Sequence, residues 1–430
     1  MSGRWSIPDS RTLRLARARV PGALTTAAAE IDADGFATLD LWLLDGVIAF
    51  DGPADAPVVD LAGRIALPSF ADIHTHLDKG HIWARQPNPD GTFMGALTSV
   101  RDDRAARWSA ADVAGRMEFA LRSAYAHGTA AIRTHLDCAG PQTALSWGVF
   151  REMREAWSGR VALQGVCLTS IEQVGTEEFP GIANETARSG GVLGTVTYPV
   201  PDLDRRLDLF FQEAMGRDLD VDLHVDETLD PESRTLRAVA EAKRRNGFGG
   251  KVLCGHCCSL SAQPEAEALE TIAMVAGEGI DIVSLPLCNL YLQDRRASRT
   301  PRMRGVTMVH ELDAAGVRVA FASDNTRDPF YAYGDLDMLE VMREATRIAH
   351  LDHPFGFWPA AFARRAAEIA GFAGGVIAEG APADLILFPA RRWTELLARP
   401  HSDRVVIRGG RAIDARPPDY EDLDPLLERP

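Results

Sequence analysis

Along this chain, two patterns of apolar spacing alternate. Short apolar runs such as "TAAIRTHLD", "RVALQGVCLT", "DVDLHVDE", "KVLCGHC", "IDIVSLPLCN" and "VRVAFASDN" predict buried strands. Between them lie "AADVAGRMEFALRSAYAHG", "DRRLDLFFQEAMGRDL", "PESRTLRAVAEAKRRNG", "AEALETIAMVAGEG" and "TMVHELDAAG", whose apolar residues recur every three or four positions and predict amphipathic helices. Repeated strand–helix units of this length argue a parallel α/β barrel. The ends of the chain differ. "TLRLARARV", "TLDLWLLDGVIAF" and "PVVDLAGRIALP" at the start, and "GVIAEGAPADLILFPA" and "RVVIRGGRAID" at the end, read as short strands joined by turns. The expected organisation is a barrel over residues 65–374 and one small β-sandwich built from both termini, residues 1–64 and 375–430.

Composition narrows this. A chain of 430 residues, 46% of them hydrophobic, suffices for a large barrel with an accessory domain. A net charge of −15 with no Lys/Arg-rich run argues against a nucleic-acid partner. The most apolar stretch, "LDLWLLDGVIAF", is interrupted by Asp45 and far shorter than a membrane span, and the first residues carry no apolar leader. Six scattered cysteines suit a reduced, cytoplasmic setting. "CGHCCS" lacks zinc-ligand spacing, so Cys257 and Cys258 are expected to pack in the core. A small-molecule substrate is the expected partner, and a homo-oligomer is compatible with all of this.

The chemistry gathers at strand ends. His74 and His76 are one residue apart in "LPSFADIHTHLDKG" and share a face of a strand. His135, His224 with Glu227, His256 and Asp324 close other predicted strands. Active sites of such barrels lie at the carboxyl ends of the strands. One histidine on an apolar face is usually a satisfied core residue; the same pattern on five strands is not. His74, His76, His224 and Asp324 offer three nitrogens and one carboxylate to a divalent metal ion. His256 is placed to hold water, and Glu227 to shuttle protons. Arg133 and His135 are expected behind the ligands or against substrate. The chain has three lysines. Lys243 falls on a helix, Lys251 at the wrong end of a strand and Lys79 in a loop, so none suits a bridge between two metals, and one ion per chain is expected. Residues 79–95 read as a loop over the site.

Taken together, these residues resemble the amidohydrolase superfamily and, within it, the cytosine deaminase branch. The resemblance runs through "IHTHLD", "QPNPDGTF", "IRTHLD", "DLHVDE", "GH" at 255–256, "LPLCNLYLQDR", "RGVTMVHELDAAGVRV" and "ASDNTRDPF", which is nearly the whole barrel. It implies a distorted TIM (β/α)8 barrel. It matches His74, His76, His224 and Asp324 to the family's ligands for Zn²⁺ or Fe²⁺, Glu227 to its proton-shuttling glutamate and His256 to its strand-five histidine. "ASDNTRD" is also similar to the N-isopropylammelide hydrolases, but the glutamate of His224–Glu227 favours release of free ammonia. The departures fall on the groups that contact or enclose the base. Ser170 stands for a glutamine, Asn325 for an aspartate and Phe330 for a tryptophan. The implied activity is hydrolytic deamination of an amino-substituted nitrogen heterocycle, catalysed by Glu227, His256 and Asp324, with cytosine itself a poor substrate. Cleavage of a cyclic amide or an N-alkylamino-triazine is the alternative. A non-catalytic binder of the same fold would not need Glu227.

Overall fold

The structure is a computed structural model that describes residues 7–414 and 416–427. The chain divides into two compact units. One comprises residues up to Asp72, Arg122–Ala131 and Asp337–Pro418; the other comprises Ile73–Leu121, Ile132–Leu336 and the segment from Asp419 onward.

The first unit starts with strands β1 (Thr12–Pro21), β2 (Phe36–Leu44), β3 (Val47–Ala49), β4 (Val58–Asp60) and β5 (Ala66–Pro68). The first four form a sheet in the order β3-β2-β1-β4. In β1, Leu13 and Leu15 are buried, and then Ala18 and Val20, so the alternation changes phase between 15 and 18. A register shift there, with Arg17 at φ 55°, is the cause: a bulge inserts a residue and returns the apolar side chains to the core. β5 pairs instead with strands from the far end of the chain. Leu13, Leu41 and Leu43 of the first sheet share one buried apolar cluster with Leu385, Leu387 and Ile407. The helix Met338–Ala349 also belongs to this unit, as does the buried pair of Arg404 with Asp337.

The strands that carry the site are parallel: β6 (Phe70–Thr75), β7 (Thr129–Asp137), β8 (Ala162–Leu168), β9 (Leu193–Thr197), β10 (Val221–Val225), β11 (Val252–His256), β12 (Asp281–Ser284) and β13 (Val319–Phe321). They form two sheets, β6-β7-β8 and β13-β12-β11-β10-β9. Parallel bridges Val166↔Val192 and Ser170↔Val196 link β8 to the start and end of β9, and Thr75↔Asp324 links the end of β6 to the residues after β13. Every residue of β10, β11 and β12 is buried, as expected of strands covered on both faces. In the first unit, β14 (Leu385–Leu387), β15 (Val405–Arg408) and β16 (Arg411–Ala412) join β5 in the sheet β16-β15-β14-β5.

Some elements differ from the sequence pattern. The apolar run predicts that "LPLCN" continues β12, but the strand stops at Ser284 and Pro286–Leu292 is helical. Proline at the first helical position explains the switch: its fixed φ starts a helix and it has no N–H to give a ladder. The loop expected over 79–95 ends at Thr92, whose hydroxyl accepts from the Gly95 N–H at 3.0 Å and caps the helix Phe93–Arg107. No described helix is long and apolar enough to cross a membrane.

Candidate active site

The carboxyl ends of the parallel strands bring the predicted residues together. His74 Nε2 is 3.1 Å from His224 Nε2, which is 3.3 Å from His76 Nε2. Asp324 Oδ1 is 3.1 Å from His76 Nε2 and 3.7 Å from His74 Nε2. Ligands at about 2.0–2.1 Å around a tetrahedral ion stand about 3.3–3.4 Å apart, so these four atoms already outline such a shell. Burial holds the three imidazoles far below their ordinary pKa, in the neutral form that donates a lone pair. A cation among the three Nε2 atoms and the Asp324 carboxylate would satisfy all four groups at once, which one proton per neutral ring cannot do. The residues therefore fit a divalent metal.

Local sequence explains the convergence. His224 is level with Gly255 on the neighbouring strand. A Cβ at Gly255 would lie 2.9 Å from His74 Cε1, so only glycine leaves the His74 ring its place. The Asp324 N–H donates to the His74 carbonyl at 2.9 Å, which ties the last strand's end to the first. Asp324 and His256 take φ of 65° and 66°, a left-handed conformation that costs non-glycine residues of order 1 kcal/mol and collects at functional sites. In "HVDE", the Asp226 carboxylate receives the hydroxyls of Ser233 and Thr235 and the N–H groups of Thr235 and Leu236, which anchors the start of the next helix. Glu227 is left facing the cavity.

Glu227 Oε1 lies 3.5 Å from His256 Nδ1. Burial and the Asp324 carboxylate push the Glu227 carboxyl well above its usual range, while the Lys79 ammonium opposes them. The Asn289 amide donates to His256 Nδ1 at 2.9 Å and reaches Glu227 Oε1 at 3.4 Å. An amide N–H donated to Nδ1 would leave the His256 proton on Nε2.

Above this floor is a cavity of about 690 Å³. Phe93, Met94, Leu97, Leu168 and Leu292 give it apolar walls. Ser170, Asn325 and Phe330 line it as expected, but two of them are already engaged. Ser170 Oγ is 2.6 Å from the Tyr198 hydroxyl, which donates to Glu172 at 2.9 Å. The Asn325 amide donates to Asp328 at 2.7 Å. That bond uses one of the two amide N–H groups and fixes the direction of the other. Phe330 packs edge-on to Phe93, at 5.4 Å, and lies 5.1 Å from the Lys79 ammonium.

Arg133 and His135 are not among the described residues that line the cavity. Arg133 donates to Asp222 at 2.8 Å and to Gln164 at 2.7 Å, so the expected contact with substrate gives way to an internal ion pair. His135 stacks 4.0 Å from His74, behind the cluster. Lys79, which the sequence puts in a loop past the first strand, is only 5% exposed and lines the cavity, held by Asp137 at 3.5 Å. Tyr198 and Asn289 do not stand out in the sequence. Asn289 has one signal, an amide in an otherwise apolar run just past a strand end.

Three imidazoles and a carboxylate at the ends of parallel strands, under a cavity with a part-buried glutamate, are the donor set of a metal-dependent hydrolase. The chain belongs to the amidohydrolase family, whose model (Amidohydro_3) matches residues 190–414. It is 52% identical over 429 residues, 98% of each chain, to a pterin deaminase of Rhizobium rhizogenes. Among solved structures, a 5-methylcytosine deaminase from Klebsiella pneumoniae with 5-fluorocytosine matches with TM-score 0.77 at 26% identity, covering 95% of this chain and 98% of that one. N-isopropylammelide isopropylaminohydrolase from Burkholderia multivorans matches with TM-score 0.72 at 25% identity, covering 94% and 98%. The chain is a hydrolytic deaminase that acts on the C–N bond of an amino-substituted heterocycle.

Proposed function

We propose that this enzyme removes the exocyclic amine of a pterin and releases ammonia. The observation that carries the reading is the 52% identity to a pterin deaminase across 98% of both chains. The cavity, at about 690 Å³ with largely apolar walls, has room for two fused rings. His74, His76, His224 and Asp324 would hold one ion, Zn²⁺ or Fe²⁺; three of them, His74, His76 and His224, gather their ligand atoms within 4.8 Å of one another. When bound, the ion lowers the pKa of water toward ~7 and so supplies a nucleophile at neutral pH.

The chain's own groups do the rest. Asp324 takes the proton from the attacking water. Glu227 gives its proton to the ring nitrogen beside the amine-bearing carbon, which makes that carbon more electrophilic. As the C–O bond forms, the ring π electrons move onto that nitrogen. Glu227, now a carboxylate, takes the proton of the new C–OH group and hands it to the amine. The oxygen's electrons form C=O as the C–N bond breaks, nitrogen leaves as neutral ammonia, and the proton held by Asp324 returns to Glu227. The His256 Nε2–H donates to the oxygen on the tetrahedral carbon, and Asn289 on the other ring nitrogen keeps it a donor.

The architecture belongs to the same reading: a distorted (β/α)8 barrel over 65–374 with a β-sandwich from 1–64 and 375–430. The bridges at both edges of the two parallel sheets support closure, and the apolar cluster shared by the two antiparallel sheets supports the sandwich. The six cysteines are free and buried, in line with a reducing cytoplasm.

The test is ammonia release from pterin, cytosine and an N-alkylamino-triazine by metal-loaded enzyme. Pterin should exceed cytosine in kcat/KM by about 10⁴, the scale set by mismatched buried polar groups. Cytosine as the best substrate, or alkylamine released faster than ammonia, would overturn the assignment.

A further inference from the structure

His135 is fully buried, and neither ring nitrogen has a partner among the described residues. An unsatisfied buried polar atom costs about 1–3 kcal/mol, so two on one ring call for an explanation. The surroundings are specific. Asp222 Oδ1 is also buried without a partner, 3.8 Å from His135 Nε2, while the other oxygen of Asp222 is held by Arg133 at 2.8 Å. Gln164 fixes the far side of that guanidinium at 2.7 Å. On the cluster side, His74 Nδ1 and His224 Nδ1 are buried without partners as well. The His135 ring centre lies 4.0 Å from that of His74 and 4.6 Å from that of His224. His74, His135 and Asp222 each bring a ligand-type atom within 4.8 Å of the others.

A buried Arg–carboxylate pair contributes little to stability by itself, because both ions lose their water. A metal-bound imidazole, in turn, nearly always donates its second N–H to a carboxylate, a carbonyl or water, which fixes its tautomer and raises its basicity. We infer that Arg133, Asp222 and His135 form a positioning unit behind the metal cluster: Arg133 pins the Asp222 carboxylate, and Asp222 and His135 together orient the Nδ1–H sides of His74 and His224 so that both Nε2 atoms point at one ion. None of the three touches substrate in this arrangement. The inference rests on the proposed ligand set of His74, His76, His224 and Asp324.

Variants of the unit and of the ligand set separate the two. Metal affinity is measured by chelator competition on purified wild-type enzyme and on His74→Ala, Asp222→Asn and His135→Phe, with folding checked by circular dichroism. The visible d–d bands of the Co²⁺-loaded forms report ligand geometry. Asp222→Asn keeps size and shape but loses the charge, and serves if His135→Phe fails to fold. The expected result is a metal affinity weaker by about 10–100-fold in Asp222→Asn and His135→Phe, with altered Co²⁺ bands. A purely structural role would lower the melting temperature and leave both readouts alone. If Asp222→Asn binds metal like wild type while His74→Ala does not, the positioning unit is wrong and the ligand set stands. If His74→Ala also binds like wild type, the ligand set itself fails.

Discussion

The floor and the walls of the cavity are built in different ways. The floor consists of side chains on strand ends: His74, His76, His224, His256 and Asp324, locked by ladder register and by the Asp324–His74 backbone bond. The walls come from the segments that leave the strands: Lys79 and Phe93 after β6, Ser170 after β8, Tyr198 after β9, Asn325 and Phe330 after β13. Four of the floor groups, His74, His76, His224 and Asp324, approach one another at separations of 3.1–3.7 Å. Wall groups are engaged with one another or with their neighbours, Ser170 with Tyr198, Asn325 with Asp328, Lys79 with Asp137. One set is suited to a reaction common to many rings and the other to choosing among rings.

Substitutions can break or sharpen this contrast. The largest effect is expected from His224→Ala, which removes the nitrogen at the centre of the cluster: metal content should fall and activity should drop to background on every substrate. Metal analysis of protein purified without chelator checks it, and a fully loaded, active variant would show that the floor is not the metal site. Next is Glu227→Gln, with metal and fold retained and kcat lower by about 10²–10⁴-fold, as for a lost general acid–base group. Near wild-type turnover would move the proton shuttle elsewhere. Gly255→Ala should destabilise the protein by about 1–3 kcal/mol, since its Cβ would press on the His74 ring 2.9 Å away. Thermal melting with and without metal reads it, and an unchanged melting temperature would mean that the ring has room to yield. The smallest effect belongs to the wall. Tyr198→Phe loses its bonds to Ser170 and Glu172, each worth about 0.5–1.5 kcal/mol, so KM should change by up to about tenfold while kcat and metal content hold. A fall in kcat on the scale of Glu227→Gln would place Tyr198 in the chemistry and erase the distinction.

The legibility of the two regions divides in the same way. Strand-end histidines can be read in advance because a period of two fixes which side chains share a face, and parallel strands must end together. The Pro286–Leu292 helix cannot be separated from β12 by pattern, since a short buried apolar run looks the same in either conformation. Arg133 shows a choice that pattern leaves open. Its position on β7 agrees with the sequence pattern, but only the packed structure sets Asp222 and Gln164 beside it and so takes it away from substrate.

By itself, then, the sequence determined the alternation of the main parallel strands with amphipathic helices, the histidines and the aspartate at strand ends and the glutamate three residues after His224. These depend on local periodicity and spacing, which a chain carries before it folds. Only the tertiary structure decided that Lys79 is a cavity residue, that Tyr198 occupies the hydroxyl of Ser170, that Asn289 lies against His256 Nδ1 and that Gly255 makes room for His74. Each of those is a contact between residues 28 or more positions apart or on different strands, and a hydrogen bond or a close approach between such residues exists only once packing has fixed both partners.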